Sequence, residues 1–211
     1  MDPDLSKFIR DLTIAIVPFL FAVTIHEFSH GYAAYKLGDN TAKLAGRLTL
    51  NPFAHIDILG LLCLLITRLF GWAKPVPINF YNLKNKKYGV LIVAAAGPVA
   101  NFLTAIISAI LFKLIITLSF DSMTLFRIFE ALAYMLQFSV MINVALGIFN
   151  LIPILPLDGG RILESLLPYD KAIKFSKLEP YGLIFVILLL IINNHNNFLG
   201  NIIYFFVRIL I

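Results

Sequence analysis

The chain has 211 residues, of which 60% are hydrophobic and 14% are charged, and its mean hydropathy is +0.89. A water-soluble domain of this size does not need so much apolar surface, and several apolar runs approach the length that crosses a bilayer. The formal net charge of +5 is modest and scattered, so nucleic acid is not implied as a partner. The single cysteine, Cys63, excludes internal disulfides. The composition therefore predicts a polytopic protein in contact with the lipid bilayer.

The first long apolar helix is predicted from Leu12 to Leu37, after a short polar tail at residues 1–11. A glycine followed by polar residues at 38–40 is typical of a helix C-terminus. Residues 41–50 are too polar for the membrane core and end in β-forming residues, which allows a short β-hairpin near the surface.

Residues 57–71 are apolar but only about 15 residues long, which is nearer to a re-entrant helix than to a full span. A basic amphipathic stretch at 161–180 precedes a helical hairpin at about 181–211. The fold class predicted is an all-α polytopic membrane protein with five to six apolar helices, one of them re-entrant, and residues 1–211 are expected to form a single integral-membrane domain. The other apolar helices are predicted at residues 89–118 and 125–151.

Basic residues concentrate in three segments, 36–47, 68–87 and 161–177. If residues 57–71 enter and leave the bilayer by the same face, all three segments lie on one side. The excess of lysine and arginine in cytoplasmic loops favours this arrangement, with the basic segments in the cytoplasm.

Residues 26–30, His26-Glu27-Phe28-Ser29-His30, read H-E-x-x-H within the first apolar helix. Residues four apart share a helix face, so His26 and His30 can present two imidazole nitrogens to one metal ion. Glu27 lies about 100° round the helix, where it can reach a metal-bound water but not the metal from the same face. This is the arrangement of a zinc hydrolase. The alternative is a pair of polar residues satisfied within a helix bundle, although ionisable residues at membrane depth are usually functional.

A catalytic zinc site usually has three protein ligands, so one is missing from this motif. Asp158 is a candidate, because it follows an apolar span and two prolines, Pro153 and Pro156, and precedes Gly159-Gly160. The prolines should break the helix and free backbone that is tolerated at membrane depth only where it lines a cavity or is covered by protein. Alternatively, Asp158 is simply the N-cap of the following helix.

Three motifs in this order resemble the site-2 protease family of intramembrane zinc metalloproteases. They are His26-Glu27-x-x-His30, Gly97-Pro98-x-x-Asn101 and Asn150-x-x-Pro153-x-x-Pro156-Leu157-Asp158-Gly159. The resemblance covers about residues 12–165. Two further stretches, Asn51-Pro52-x-x-His55-x-Asp57 and Gly71-Trp72-Ala73-Lys74-Pro75-Val76-Pro77, resemble the compact bacterial branch without PDZ or CBS domains.

The resemblance implies one zinc ion per chain, held by His26, His30 and Asp158. Glu27 would activate the zinc-bound water to hydrolyse peptide bonds within or beside the membrane. The substrates implied are single-span membrane proteins or peptides. The location implied is the bacterial inner membrane, with the active site open toward the cytoplasm, and residues 12–165 would form the catalytic core.

Three other polar residues are candidates near the site. Asn150 could donate its amide to the developing oxyanion or grip the substrate backbone, or else cap or cross-link helices. Asn101 is interpreted as an interhelical hydrogen-bonding residue beside small residues. His55 could support the site or gate access to it, although an interfacial helix-start residue is the commoner role.

Two functions from other classes compete with proteolysis. Intramembrane His and Asp also line the paths of metal transporters, but such proteins usually have inverted repeats and more polar residues along the path. A catalytically inert membrane scaffold could retain the fold, but it would not need Glu27, which is dispensable for metal binding.

Overall fold

The computed structural model describes residues 3–67 and 71–211, and all regular secondary structure within these ranges is helical. Nine α-helices among the described residues are joined by short 3₁₀ turns and loops. They are α1 (Pro3–Lys36), α2 (Thr41–Leu44), α3 (Ile58–Thr67), α4 (Lys86–Ile116), α5 (Met123–Asn150), α6 (Asp158–Leu166), α7 (Tyr169–Ser176), α8 (Gly182–Asn196) and α9 (Phe198–Leu210).

Four stretches of the described chain are long and apolar enough to cross a membrane. The described part of α3 has 10 residues and α9 has 13, fewer than the roughly 20 that a span requires. The described residues thus contain four stretches of spanning length, and the predicted number of five to six apolar helices is not confirmed. The four stretches are Leu12–Lys36, Tyr88–Ile116, Met123–Asn150 and Tyr169–Asn196.

Helix α1 begins earlier than the sequence predicts, at Pro3 instead of Leu12. Proline is well suited to the first helical position, because its backbone has no N–H to leave unpaired and its φ angle is already helical. The polar residues that were expected to form a tail therefore extend the helix.

The predicted β-hairpin at residues 41–50 is wrong, because this segment holds the short helix α2 and no residue that the structure describes forms a strand. The buried carboxylate of Asp39 accepts hydrogen bonds from the Thr41 backbone N–H and hydroxyl group at 3.1 and 2.5 Å, which favours a helical turn. Gly46 then ends the turn with a φ of +66°. Too few residues remain before Asn51 to make a paired strand.

Helix α4 is central to the bundle and packs against α1, α5 and α6. The α4 residues buried in the bundle include small side chains such as Ala94, Ala105 and Ala109, which are at least 96% buried. Small residues let helix backbones approach closely in a membrane, where apolar burial alone gives no preference for protein over lipid. Large apolar side chains such as Leu103 and Ile107 are instead exposed, as a lipid-facing surface requires.

Asp39 also fastens the segment before α4 to the end of α1. The fully buried carboxylate accepts hydrogen bonds from Asn79 N and Asn82 Nδ2, each at 2.8 Å, besides those from Thr41. Burial acts to raise the pKa of Asp39, but these donors outweigh it and lower the pKa below its ordinary value. The segment around residues 71–83 is thus held over the end of α1 that carries the H-E-x-x-H motif.

Candidate metal centre

The two histidines of α1 lie one helical turn apart, and both side chains point into the bundle. Both residues are 7% exposed, and their Nε2 atoms are 3.0 Å apart. His26 Nδ1 lies 2.6 Å from Asn101 Oδ1, and His30 Nδ1 lies 2.7 Å from the Val93 carbonyl oxygen. Because both partners are acceptors, each Nδ1 carries a proton, and in the neutral ring the lone pair is then on Nε2, which faces the other imidazole.

Asp158 completes this arrangement from the start of α6. Its Oδ2 atom lies 3.1 Å from His26 Nε2 and 3.3 Å from His30 Nε2. The three potential ligand atoms lie within 4.8 Å of one another. Asp158 Oδ2 is buried and accepts no hydrogen bond of acceptable geometry. Three facing acceptors without a proton between them repel one another, and a cation relieves this repulsion. Two imidazoles and a carboxylate also suit Zn²⁺, so these residues fit the metal.

The path from α5 to α6 explains how Asp158 returns to the histidines. Residues 151–157 contain no α-helix, and the Leu155–Pro156 peptide bond is cis. A Cβ atom on Gly159 would overlap the Leu151 carbonyl, so the returning chain packs directly against the end of α5. The N-cap of α6 is Leu157. Asp158 is therefore not the N-cap residue of that helix.

Gly97 leaves the space that the two imidazoles face. A Cβ atom at this position of α4 would lie 2.7 Å from His26 Nε2 and even closer to His30 Nε2. Real Cβ atoms do not tolerate such distances. Any larger residue would therefore displace the rings or fill the space between them.

Glu27 contacts the segment before α4. Its Oε2 atom accepts a hydrogen bond of 2.8 Å from the Val76 backbone N–H. Glu27 and His26 both border a cavity of about 320 Å³ between α1, α5 and residues of the segments 52–60 and 71–73. Most of the other residues around the cavity are apolar, among them Phe19, Leu20, Val23, Trp72, Leu146 and Phe149.

The tentative residues Asn150 and His55 border the same cavity but lie outside the group of three. Asn150 donates its amide to the Leu146 carbonyl at 3.0 Å, one turn earlier in α5. His55 is 1% exposed, and its Nε2 donates to the Thr49 carbonyl at 2.8 Å. Asn101 instead contacts the Nδ1 side of the His26 ring, and it forms hydrogen bonds with residues of both α1 and α5.

Sequence reasoning missed several groups that support the site. The Val93 carbonyl and the Val76 N–H belong to the backbone, so the identity of the side chain gives no signal for them. Asn143 is different, because a buried amide in the middle of an apolar span is itself a signal. It is fully buried and contacts Asn101.

The chain is similar to proteins that are named as zinc metalloproteases. Residues 115–192 match Peptidase family M50. YwhC of Bacillus subtilis is 37% identical over 176 residues, which are 83% of this chain and 79% of YwhC. Rip2 of Mycolicibacterium smegmatis is 27% identical over 200 residues, which are 92% of this chain and 72% of Rip2. MJ0392 of Methanocaldococcus jannaschii is 28% identical over 155 residues, which are 73% of this chain and 34% of MJ0392. No solved structure matches the chain significantly.

The four apolar stretches and these relatives define a multi-pass membrane metalloprotease whose cofactor is Zn²⁺. The chain belongs to Peptidase family M50, the site-2 protease family, which confirms the resemblance found in its motifs. The transporter and inert-scaffold alternatives are set aside accordingly.

Gly97→Ala is expected to weaken zinc binding by about tenfold or more, in the range found when groups that orient ligands are disturbed. The added Cβ would collide with both imidazoles, although alanine is the better helix former. Competition with a zinc chelator measures the affinity. Gly89→Ala is the matched control in α4, because its Cβ meets only the flexible Leu83 side chain, at 3.0 Å or more. Normal zinc affinity in Gly97→Ala would contradict the assignment of this space to the metal.

Proposed function

We propose that this protein is an intramembrane zinc endopeptidase that cleaves membrane-embedded protein segments, with His26, His30 and Asp158 as the zinc ligands and Glu27 as the general base. The observation that carries the proposal is the convergence of three buried acceptor atoms, two of which have their tautomer fixed by acceptors behind them. Glu27, the residue after His26, borders the same cavity as His26 but is not one of the three converging residues.

Zinc supplies Lewis acidity, which lowers the pKa of a water molecule and polarises a peptide carbonyl. Glu27 takes the proton that the attacking water loses and gives it to the nitrogen of the leaving amine as the C–N bond breaks. The Val76 N–H holds Glu27 Oε2 at 2.8 Å. This contact orients the carboxylate and leaves Oε1 to receive the proton.

The cavity beside Glu27 suits an extended segment of a transmembrane substrate. Its apolar walls match the side chains of such a segment, and a few polar groups at one end can position the backbone. Asn150 borders the cavity, and its carbonyl oxygen can accept from a substrate N–H. The substrate class is accordingly a single-span membrane protein or peptide unwound near its cleavage site.

We propose that α3 is re-entrant and that the site opens toward the cytoplasm of a bacterial inner membrane. The ten described residues of α3 extend about 15 Å, half of a bilayer core. The Lys84 N–H donates to the Leu37 carbonyl at 3.0 Å, and Arg47 donates to the Lys74 carbonyl at 2.7 Å. Chain segments before and after α3 therefore meet at one end of the bundle, where basic residues concentrate.

We propose the following division of the chain. Residues 12–165 contain the proposed ligands and the helices that hold them, and we assign them to the catalytic core. Residues 181–211 add the hairpin of α8 and α9, whose turn is made by Asn197 with a φ of +47°.

Glu27→Gln is expected to lower the cleavage rate by at least about 100-fold while zinc content stays near the wild-type value. Glutamine keeps an oxygen to accept from Val76 but cannot take a proton. Cleavage of a single-span substrate in detergent, together with zinc analysis, provides the measurement. Strong loss of zinc in this variant would make Glu27 a ligand and contradict its assignment as the base.

Asp158→Asn is expected to weaken zinc binding by about tenfold or more and to remove most activity, because it takes away the anionic oxygen donor while keeping the side-chain shape. Competition with a zinc chelator measures the affinity. Asp170→Asn is the control, since Asp170 is exposed in the first turn of α7. Full zinc occupancy and full activity in Asp158→Asn would remove the third ligand from the proposal.

Cysteines introduced at Leu44 and Lys84, in a Cys63→Ala background, are expected to react from the same side of the membrane. Both positions are exposed, and they lie on either side of α3 in the chain. Labelling of inside-out and right-side-out vesicles with an impermeant maleimide gives the sidedness. Asp121→Cys, in the loop between α4 and α5, should react from the opposite side. Opposite labelling of positions 44 and 84 would mean that α3 crosses the bilayer.

A further inference from the structure

Asn143 is a fully buried amide in the middle of α5, a helix that is otherwise apolar enough to cross the membrane. The desolvation cost of a polar side chain in this setting is large unless each of its groups is paired. Neither the H-E-x-x-H motif nor the segment around Asp158 includes this residue, which lies two turns before Asn150.

A continuous chain of hydrogen bonds joins Asn143 to His26 through the interior of the bundle. His26 Nδ1 lies 2.6 Å from Asn101 Oδ1, and Asn101 Nδ2 donates to Asn143 Oδ1 at 2.8 Å. Asn143 Nδ2 in turn donates to the Ser139 carbonyl at 2.9 Å and is 3.3 Å from its hydroxyl. The Ser139 hydroxyl lies 2.8 Å from that of Ser108 in α4. All five residues are at most 7% exposed.

The chain of bonds has one direction, and its direction is set by backbone carbonyls that can only accept. The Ser139 carbonyl requires the NH₂ group of Asn143 on its side, which turns Asn143 Oδ1 toward Asn101. Asn101 Nδ2 also lies 3.1 Å from the Ala22 carbonyl oxygen. This oxygen and Asn143 Oδ1 can only accept, so both require the NH₂ group of Asn101 on their side. Asn101 therefore presents its oxygen to His26 and receives the Nδ1 proton.

Reversal of the Asn101 amide would have a specific chemical consequence. Its NH₂ group would face His26 Nδ1, which would then have to be the acceptor, and the ring proton would move to Nε2. A protonated Nε2 cannot bind a metal ion. We propose that Asn143 is a positioning residue that holds His26 in its zinc-binding tautomer and orientation through Asn101. The proposal rests on the assignment of His26 as a ligand.

A purely structural role for Asn143 makes a different prediction. Interhelical hydrogen bonds between amides also stabilise membrane bundles. If that were the whole role, loss of the amide would lower the thermal stability but leave the zinc affinity and the His26 tautomer of the folded protein unchanged.

The test compares Asn143→Leu with Asn143→Asp and Ser108→Ala in the full chain. Leucine removes one of the two acceptors of the Asn101 NH₂ group and leaves only the Ala22 carbonyl, and zinc affinity is expected to fall about tenfold. Aspartic acid in its neutral form keeps an oxygen for Asn101 and a donor for the Ser139 carbonyl, so it should restore most of the affinity. Ser108→Ala removes only the hydroxyl group at the far end of the chain of hydrogen bonds. Its zinc affinity should therefore stay within about twofold of the wild-type value. Zinc affinity is measured by chelator competition.

A second readout follows the tautomer directly. In zinc-free protein labelled with ¹⁵N-histidine, the His26 nitrogens should report a proton on Nδ1 in wild type and a mixture of tautomers in Asn143→Leu. If Asn143→Leu does not fold, Asn143→Ala carries the same expectation, because it removes the amide without adding bulk. A folded variant without the amide that keeps wild-type zinc affinity and the wild-type tautomer would overturn the proposal.

His26→Ala separates this proposal from the function it rests on. If His26→Ala binds zinc like wild type, the ligand assignment itself fails. If His26→Ala loses zinc while Asn143→Leu keeps it, only the positioning role of Asn143 fails.

Discussion

The structure brings three potential acceptor atoms close together inside an apolar bundle, and their mutual repulsion is the constraint that the surrounding helices must satisfy. His26 Nε2, His30 Nε2 and Asp158 Oδ2 lie 3.0 to 3.3 Å apart in each pair. Such a close approach of three acceptors is costly in a medium of low dielectric unless a cation lies between them. Zinc held by these three atoms, as proposed, would join α1 to α6, so that the fold and the cofactor would stabilise each other.

Three helices contribute to this geometry in different ways. Helix α1 provides two ligand candidates at a fixed spacing, and α4 provides the acceptors that fix their tautomers together with the space opposite Gly97. The start of α6 brings the carboxylate, after a non-helical return path that requires glycine at 159 and 160 because backbone atoms lie where their Cβ atoms would be. A shift of any of these helices would change the distances between the proposed ligand atoms, since packed interiors transmit small shifts.

The parts of the site that the sequence predicts best are those set by local periodicity. His26 and His30 share a helix face whatever the rest of the fold does, so their pairing is predictable from spacing alone. The position of Asp158 depends on where α6 returns, and the prolines and glycines indicate that a return is feasible but not where it ends. The β-hairpin at 41–50 was predicted from residue preferences, and it fails because Asp39 bonds locally to Thr41 and, across the chain, to Asn79 and Asn82.

The proposed ligands and the proposed base are held by different parts of the protein. Substitutions in these parts should therefore affect zinc binding and activity differently. The histidines are fixed by α4 within the membrane bundle, whereas Glu27 is oriented by the Val76 N–H in the segment before α4. That segment is fastened by the carboxylate of Asp39, outside the spanning stretches. Disturbance of the Asp39 contacts should thus misplace the proposed base and leave the proposed ligands in position, whereas disturbance of α4 should first affect the proposed ligands. A loss of activity with zinc retained points to the segment before α4, and a loss of both points to the bundle.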